Sequence, residues 1–210
     1  MTPRLELPAI RRALAAHEPA VGNIVPEARR AAVAAVLRTG DAGVEVLLMR
    51  RAERSGDPWS GHMAFPGGHV EQDEDFEAAA RRETMEEVGL DLDRYGRRVG
   101  HLDLVHAQPR TRARPMVVAP IVYELHGTPP PLQLNYEVAE TLWAPLMPMV
   151  RGEVHTSLEY ELSGRVQQFP GYDVEGRVVW GMTYRMLGTL FSVLGVGEGD
   201  VPFPEAPPER

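Results

Sequence analysis

Cysteine is missing from all 210 residues. That single absence excludes a disulfide framework, a thiolate metal centre and thiol catalysis. Lysine is missing too, so all 22 basic residues are arginine. Covalent catalysis through a Schiff-base amine is thereby excluded, while bidentate recognition of phosphate stays available. Biased genomic composition produces the same arginine preference. No stretch approaches the ~18 apolar residues of a membrane span, and the opening segment MTPRLELPAIRRALAAHEP lacks the apolar core of a signal peptide. Positive charge is outweighed, 22 basic against 30 acidic residues with a formal net charge of -8. That argues against binding nucleic acid by neutralising phosphates. The expectation is a cytoplasmic chain with neither a membrane nor a nucleic acid as partner; a homodimer is allowed but not specified.

What is present is ordinary. Hydrophobic residues make up 43% and charged residues 25%, which fits a globular chain and not a disordered or fibrous one. At this length one core buries roughly 70% of the unfolded chain's surface without covalent staples, so a single domain is expected.

The pattern along the chain predicts its elements. Residues 7–17 read as a short amphipathic helix with Pro8 in its first turn, followed by a Pro/Gly-containing connector over 19–26. The runs 31–37 and 44–49 read as strands joined by the turn Gly40-Asp41-Ala42-Gly43, and their nearly continuous apolar character suggests a sheet covered on both faces. A polar loop over 50–63 leads to Phe65-Pro66-Gly67-Gly68, where the glycines permit a tight turn. Residues 75–88 carry a helical pattern that Gly89 ends with a left-handed cap. Strands are expected over 98–106, 116–125 and 140–146, a hairpin over 154–169, and a helix over 180–194 with Met182, Met186, Leu190 and Leu194 four apart. The predicted layout is 1–30 helix and connector, 31–194 the domain, and 195–210 a loose Gly/Pro/Glu-rich tail. Strands flanked by helices at both ends make an α/β sandwich with a mixed sheet.

Chemistry concentrates in the helix over 75–88. Phe76, Ala80, Thr84 and Val88 recur every four residues as a core-facing stripe. Glu83 and Glu87 form a neighbouring stripe, and Glu86 lies one turn from Glu83. Like charges so spaced destabilise a helix by roughly a few tenths of a kcal/mol per pair. A hard divalent cation reverses that sign, because it accepts carboxylate oxygens. Gly67 or Gly68 can bring a carbonyl to the same cation, and Arg82 can pair with Glu83 to fix its rotamer. A solvated acidic face is the competing account of three glutamates alone.

The complete spacing decides between them. Gly68, Glu74, Arg82, Glu83, Glu86, Glu87 and Gly89, with Leu90 after them, resemble the Nudix box over 68–90. One position departs, Thr84 standing where the family usually has a bulky aliphatic. The resemblance implies a Nudix-type α/β/α sandwich and a hydrolase that uses Mg²⁺ or Mn²⁺ to direct water onto a phosphorus of a nucleotide-type diphosphate. It implies Glu83 and Glu87 as main cation ligands, Glu86 as a helper, and the carbonyl of Gly67 or Gly68 as a further donor. The general base stays open between a box glutamate (Glu83 or Glu86) oriented by Arg82 and a remote one, Glu137 or Glu140. A histidine base is the weaker alternative, since His62, His69, His101 and His106 near the box or on a flanking strand are more readily structural.

Upstream, Leu47-Leu48-Met49-Arg50-Arg51-Ala52, Gly61 and Phe65-Pro66-Gly67-Gly68 resemble the extended motif of the coenzyme A diphosphatases within that family. Met49 and Ala52 replace its usual Thr and Ser, the loop is longer by two residues, and Arg54 stands closer to the strand than the pattern's second arginine. Trp180-Gly181-Met182-Thr183 is similar to the same subgroup, though a buried Trp anchoring a helix start is favoured over a substrate contact. The resemblance implies that Arg50, Arg51, Arg54 and Phe65 meet the substrate. The loop arginines Arg110, Arg112 and Arg114 are candidates for an extra phosphate. The products implied are 3′,5′-ADP and 4′-phosphopantetheine. ADP-ribose, another nucleoside diphosphate derivative or a nucleoside triphosphate is the rival substrate, and a non-catalytic nucleotide-binding module is the rival class. That module is favoured by missing box carboxylates, and none is missing.

Overall fold

The apolar runs of the sequence form the middle of a mixed sheet buried on both faces. The computed structural model describes residues 5–22, 24–25, 27–54, 59–107, 114–162 and 165–196. In chain order its elements are α1 (Leu7–Ala16), β1 (Arg29–Gly40), β2 (Gly43–Arg51), β3 (Met63–Ala64), β4 (Gly67–His69), α2 (Phe76–Val88), α3 (Leu92–Tyr95) and β5 (Gly96–His101). There follow β6 (Val105–Ala107), β7 (Met116–Leu125), β8 (Val138–Pro145), α4 (Leu146–Val150), β9 (His155–Leu162), β10 (Arg165–Val174), β11 (Arg177–Trp180) and α5 (Gly181–Val193). The large sheet runs β3-β2-β1-β7-β5, with β4 beside β1, β6 beside β7 and β8 beside β2. β1 and β7 are parallel and the other pairs antiparallel.

Strand alternation sorts β1 between two cores. Ala31, Ala35 and Leu37 face one side, Ala32, Ala34 and Val36 the other. On the first side lie Ile10 and Leu14 of α1, and Leu187, Leu190 and Phe191 of α5. On the second lie Ala79, Ala80 and Val88 of α2 and Leu92 of α3. Helices cover both faces, as the uninterrupted apolar strands predicted. Among the described residues no helix is long and apolar enough to cross a membrane.

Several boundaries differ from the sequence reading. The strand expected over 98–106 is two, β5 and β6. Pro120 of β7 brings no N–H to the ladder, Leu102 N–H donates to its carbonyl, and Leu104 N–H turns to that of Ala20. Arg50 and Arg51 belong to β2 and not to the following loop, because β8 pairs with both and β3 with Arg50. The expected strand over 140–146 begins at Val138, and Leu146 instead opens α4 behind Pro145. The hairpin over 154–169 is present as β9 and β10, but β11 extends it into a separate antiparallel sheet, β11-β10-β9. Of the C-terminal tail, only Gly195 and Val196 lie within the described residues.

Candidate active site

α2 is held at both ends before any chemistry is considered. Asp75 caps its start by accepting from Ala78 N–H at 2.7 Å, and Gly89 closes it at φ 67° with its N–H on the Met85 carbonyl. Thr84, in the position where a larger aliphatic was expected, is fully buried and donates its hydroxyl to the Ala80 carbonyl at 2.6 Å. Its polar atom is therefore satisfied inside the core.

The stripe next to it carries a carboxylate into the interior. Glu87 is only 2% exposed, and Gly67 N–H donates to its Oε2 at 2.8 Å. Gly67 and Gly68 do more than turn the chain, as the sequence suggested: they belong to β4 and pair with Val33 and Ala32 of β1. A Cβ at Gly67 would collide with the Ala32 carbonyl, and one at Gly68 with the Glu83 carboxylate. These glycines let α2 press its glutamates against β4.

Burial pushes the Glu87 carboxyl up to about 8; the Gly67 N–H and the Arg51 guanidinium oppose that, while Glu83 and Glu137 add to it. The Glu83 carboxyl is also raised, first by burial, against the pull of Arg82, with Glu86 and Glu137 pushing the same way as burial. The site thus holds more negative charge than its own donors offset.

Arg82 organises the outer side. Its Nε and Nη2 donate to Oε1 and Oε2 of Glu74, each at 3.0 Å, and Nη2 also donates to the His69 carbonyl at 2.9 Å. Nη1 donates to Glu83 at 3.0 Å and to Glu86 at 3.4 Å. Glu74 in turn holds Arg82 firmly in its charged form, with Glu83 contributing. The expected pairing of Arg82 with Glu83 is present, and Glu74 anchors it.

A loop invisible to helical or strand periodicity completes the site. Gln133 N–H donates to the Val88 carbonyl and Asn135 N–H to the Glu87 carbonyl, both at 2.9 Å, which docks the segment before β8 on the C-terminal end of α2. Asn135 Oδ1 accepts from Glu137 N–H at 2.7 Å, and Arg54 Nη1 donates to Glu137 Oε1 at 2.9 Å. Glu137 therefore joins Glu83 and Glu87. The Arg54 guanidinium also lies 4.7 Å from the centre of the Tyr136 ring.

Glu140, the other remote candidate for a base, does not join them. A bulge sets Arg50 opposite Glu140 but Arg51 opposite Val138, so Val138 packs on the α2 side and Glu140 faces the other way. There Glu140 accepts from Arg50 Nε at 2.6 Å and Arg177 Nη2 at 2.5 Å. Two guanidiniums, Arg177 first, hold its carboxyl below the usual range. Engaged on both oxygens and turned away, it is excluded as the base.

The other expected residues divide. Arg51 acts on Glu87, and Arg54 on Glu137. Arg50 is on the opposite face with Glu140. Phe65 is 3% exposed and belongs to the core, so it does not meet substrate as expected. Arg114 is exposed, and Arg110 and Arg112 lie outside the described residues. Of the histidines, His69 bonds Arg29 at 2.6 Å, His106 reaches the Val21 carbonyl at 3.0 Å, and His62 packs on Trp180.

Among the described residues no three His, Asp or Glu side chains stand together as a ready cation cage. The reason is visible: Arg82 holds Glu83, Gly67 N–H holds Glu87, and Glu86 is exposed. The donor set itself fits a hard divalent cation, being all carboxylate and carbonyl oxygen around an under-compensated buried charge.

Comparison with known proteins agrees with this construction. A match to the NUDIX domain spans residues 28–158, more than half of the chain. Nudix hydrolase 22 of Arabidopsis thaliana is 31% identical over 168 residues, covering 76% of this chain and 53% of that protein. Peroxisomal coenzyme A diphosphatase 1 of Saccharomyces cerevisiae is 39% identical over 72 residues, 34% of this chain and 21% of that protein. The chain spans about half or less of the length of the curated relatives it matches. A solved NUDIX domain of Shewanella oneidensis in complex with ADP ribose is 20% identical and aligns with a TM-score of 0.46, covering 67% of this chain and 85% of that one. With the domain match enclosing the capped helix, its paired glycines and every box carboxylate, the chain belongs to the Nudix family.

Proposed function

We propose that this chain is a divalent-cation-dependent hydrolase of diphosphate linkages whose substrate is coenzyme A or one of its derivatives, cleaved to 3′,5′-ADP and 4′-phosphopantetheine. The observation that carries the hydrolase reading is Glu87, a carboxylate 2% exposed with its charge only partly offset, beside Glu83 on the same helix. Buried carboxylates whose charge is only partly offset cluster at sites that bind a cation or do chemistry.

Glu83, Glu86 and Glu87, with a carbonyl of Gly67 or Gly68, would hold Mg²⁺ or Mn²⁺. A cation there supplies charge screening of the diphosphate and Lewis-acid activation of water. Arg82, locked by Glu74, fixes Glu83 and keeps Glu86 on the same side. Glu137 receives the proton of the attacking water: Arg54 holds its Oε1 and the Asn135 turn fixes its backbone, so the carboxylate meets that water already oriented. Arg51 and Arg54 offer guanidinium charge to the diphosphate oxygens.

Two observations favour coenzyme A. The Leu47–Ala52 segment with Phe65-Pro66-Gly67-Gly68 follows the subgroup's pattern, and a coenzyme A diphosphatase is among the curated relatives. The test is product analysis with Mg²⁺ or Mn²⁺ on coenzyme A, ADP-ribose and a nucleoside triphosphate in parallel. Release of 3′,5′-ADP and 4′-phosphopantetheine, faster than turnover of the other two, is expected. Turnover only of another compound overturns the substrate, and silence on all three overturns the hydrolase.

A further inference from the structure

On the face of β2 opposite the carboxylates lies a groove of about 510 Å³, walled by Arg50, His62, Glu140, Glu159, Tyr160, Arg177 and Trp180 among others. Its size falls within the ~300–1,000 Å³ of small-molecule sites. Tyr160, Arg177 and Trp180 lie beyond the matched span 28–158, so the domain match assigns none of these three.

Its two walls differ in chemistry. On one, the Trp180 ring packs at 4.7 Å from His62 and 4.9 Å from Tyr160, with Phe169 behind at 5.5 Å. Phe169 is buried, whereas Trp180, Tyr160 and His62 are half-buried and border the groove. Partly exposed ring faces on a rigid backing make a stacking platform for a planar base. On the other wall, Glu140 bridges the guanidiniums of Arg50 and Arg177, one carboxylate oxygen to each. Each guanidinium has five donors, and the bridge uses one apiece. Arg177 spends another on the Glu175 carbonyl, and the Glu53 and Glu175 carboxylates stand 3.9 Å from Arg50 Nη1 and 4.0 Å from Arg177 Nη1, beyond hydrogen-bond length, so the pair still has N–H groups left for phosphate oxygens. Glu159 is an acceptor for an exocyclic amine.

Position ties the groove to the reaction. Arg50 and Arg51 are adjacent in β2; one faces the groove with Glu140 and the other acts on Glu87. Groove and carboxylates therefore share one strand end, on its two faces. A molecule seated in both has its diphosphate at α2 and passes the end of β2 to reach the platform.

We propose that this groove holds the nucleotide end of the substrate, an amino-bearing base on Trp180 and Tyr160 and a ribose-borne phosphate on Arg50 and Arg177. This rests on the reading of the chain as a hydrolase of nucleotide-type diphosphates and adds the residues that choose among them. It predicts a preference for substrates with a phosphate beyond the diphosphate, since that group alone meets the Arg50–Arg177 pair.

The test uses the full chain and adenosine 3′,5′-diphosphate, which has no diphosphate bond to cleave, titrated by calorimetry in EDTA. Binding at one site is expected, weakened at least tenfold in Arg177→Gln and in Trp180→Phe. Arg177 follows the turn between β10 and β11, so its variant keeps the question open to measurement if Trp180→Phe disturbs the ring cluster. With coenzyme A as substrate, Arg177→Gln raises KM and leaves kcat nearly unchanged. Binding that ignores both groove variants, or no binding, overturns the proposal. Hydrolysis of coenzyme A with an unaltered KM in Arg177→Gln overturns it while the hydrolase reading stands. Groove-dependent binding without hydrolysis of any diphosphate leaves the groove and removes the hydrolase.

Discussion

Arg82 and Glu74 face each other as a two-pronged pair, Nε to Oε1 and Nη2 to Oε2, both at 3.0 Å, across the turn that leads into α2. The fork fixes the guanidinium plane, and that plane aims Nη1 at Glu83 and Glu86. Glu74 thus acts on the cation site through Arg82 without touching it.

Lysine cannot reproduce that geometry, because an ammonium has no planar fork to meet Glu74, the His69 carbonyl and Glu83 together. Arg82→Lys is expected to lower kcat by about 10–100-fold, the usual scale for a group that orients metal ligands. Glu74→Gln should fall in the same direction by less, since an amide oxygen still accepts one bond. Steady-state kinetics over a range of Mn²⁺ concentrations measures both. Equal activity of Arg82→Lys and the parent would remove Arg82 from the mechanism.

Glu87 sets function against stability. Burial beside Glu83 and Glu137 pushes its carboxyl up to about 8 against the Gly67 N–H and Arg51, so without a cation folding at neutral pH costs the uptake of a proton. Glutamine keeps the shape and an oxygen for the Gly67 N–H while removing that cost. Glu87→Gln is expected to melt at the same temperature as the parent or higher in EDTA at neutral pH, and to lose turnover by at least about 10²-fold. Calorimetry and a product assay on the same preparation read both. A folded variant with near-parental turnover would contradict the ligand assignment.

Gly68 touches the site through what it lacks. Any side chain there meets the Glu83 carboxylate, and β4 cannot retreat because it is paired to β1. Gly68→Ala should therefore displace Glu83 and lower activity more than stability. A melting curve beside a kcat determination tests this; a large loss of stability with activity per folded molecule unchanged would show that the position is purely structural.

How much of this was readable beforehand depended on how local each signal is. α2, its Gly89 cap and the stripe of Glu83 and Glu87 follow from spacing within one helix, and they stand where the periodicity placed them. The two-faced burial of β1 and β2 was equally plain from uninterrupted apolar runs. Glu137 and Glu140, three residues apart, looked equivalent in sequence. Glu137 lies just before β8, placed by the Asn135 turn and Arg54, whereas Glu140 lies within β8 opposite Arg50 on the other face, and neither that turn's docking nor the pairing register is written within the strand itself. The motif around Phe65 implies a substrate contact, yet its ring packs in the core. The β11 strand and Arg177 carried no periodic signal, because four residues are too few to show one.

Glu124 gives the fold a pH dependence away from the site. Burial opposes its ionisation, but Arg11 of α1 and Arg97 of β5 donate to it at 2.8 Å and together hold its carboxyl below its ordinary 4.5. Its stabilising contribution is complete above that ordinary value and disappears as pH falls through the lower folded one, where the native state too takes up the proton. Arg11 and Arg97 are 36% and 53% exposed, so solvent limits the contribution to about 1 kcal/mol. Glu124→Gln should therefore be less stable than the parent at pH 7 and approach it as pH falls below 4.5. Urea unfolding of both chains between neutral and acid pH measures the gap. A constant gap across that range would mean that α1 is held by packing of Ile10 and Leu14 and not by the charge of Glu124.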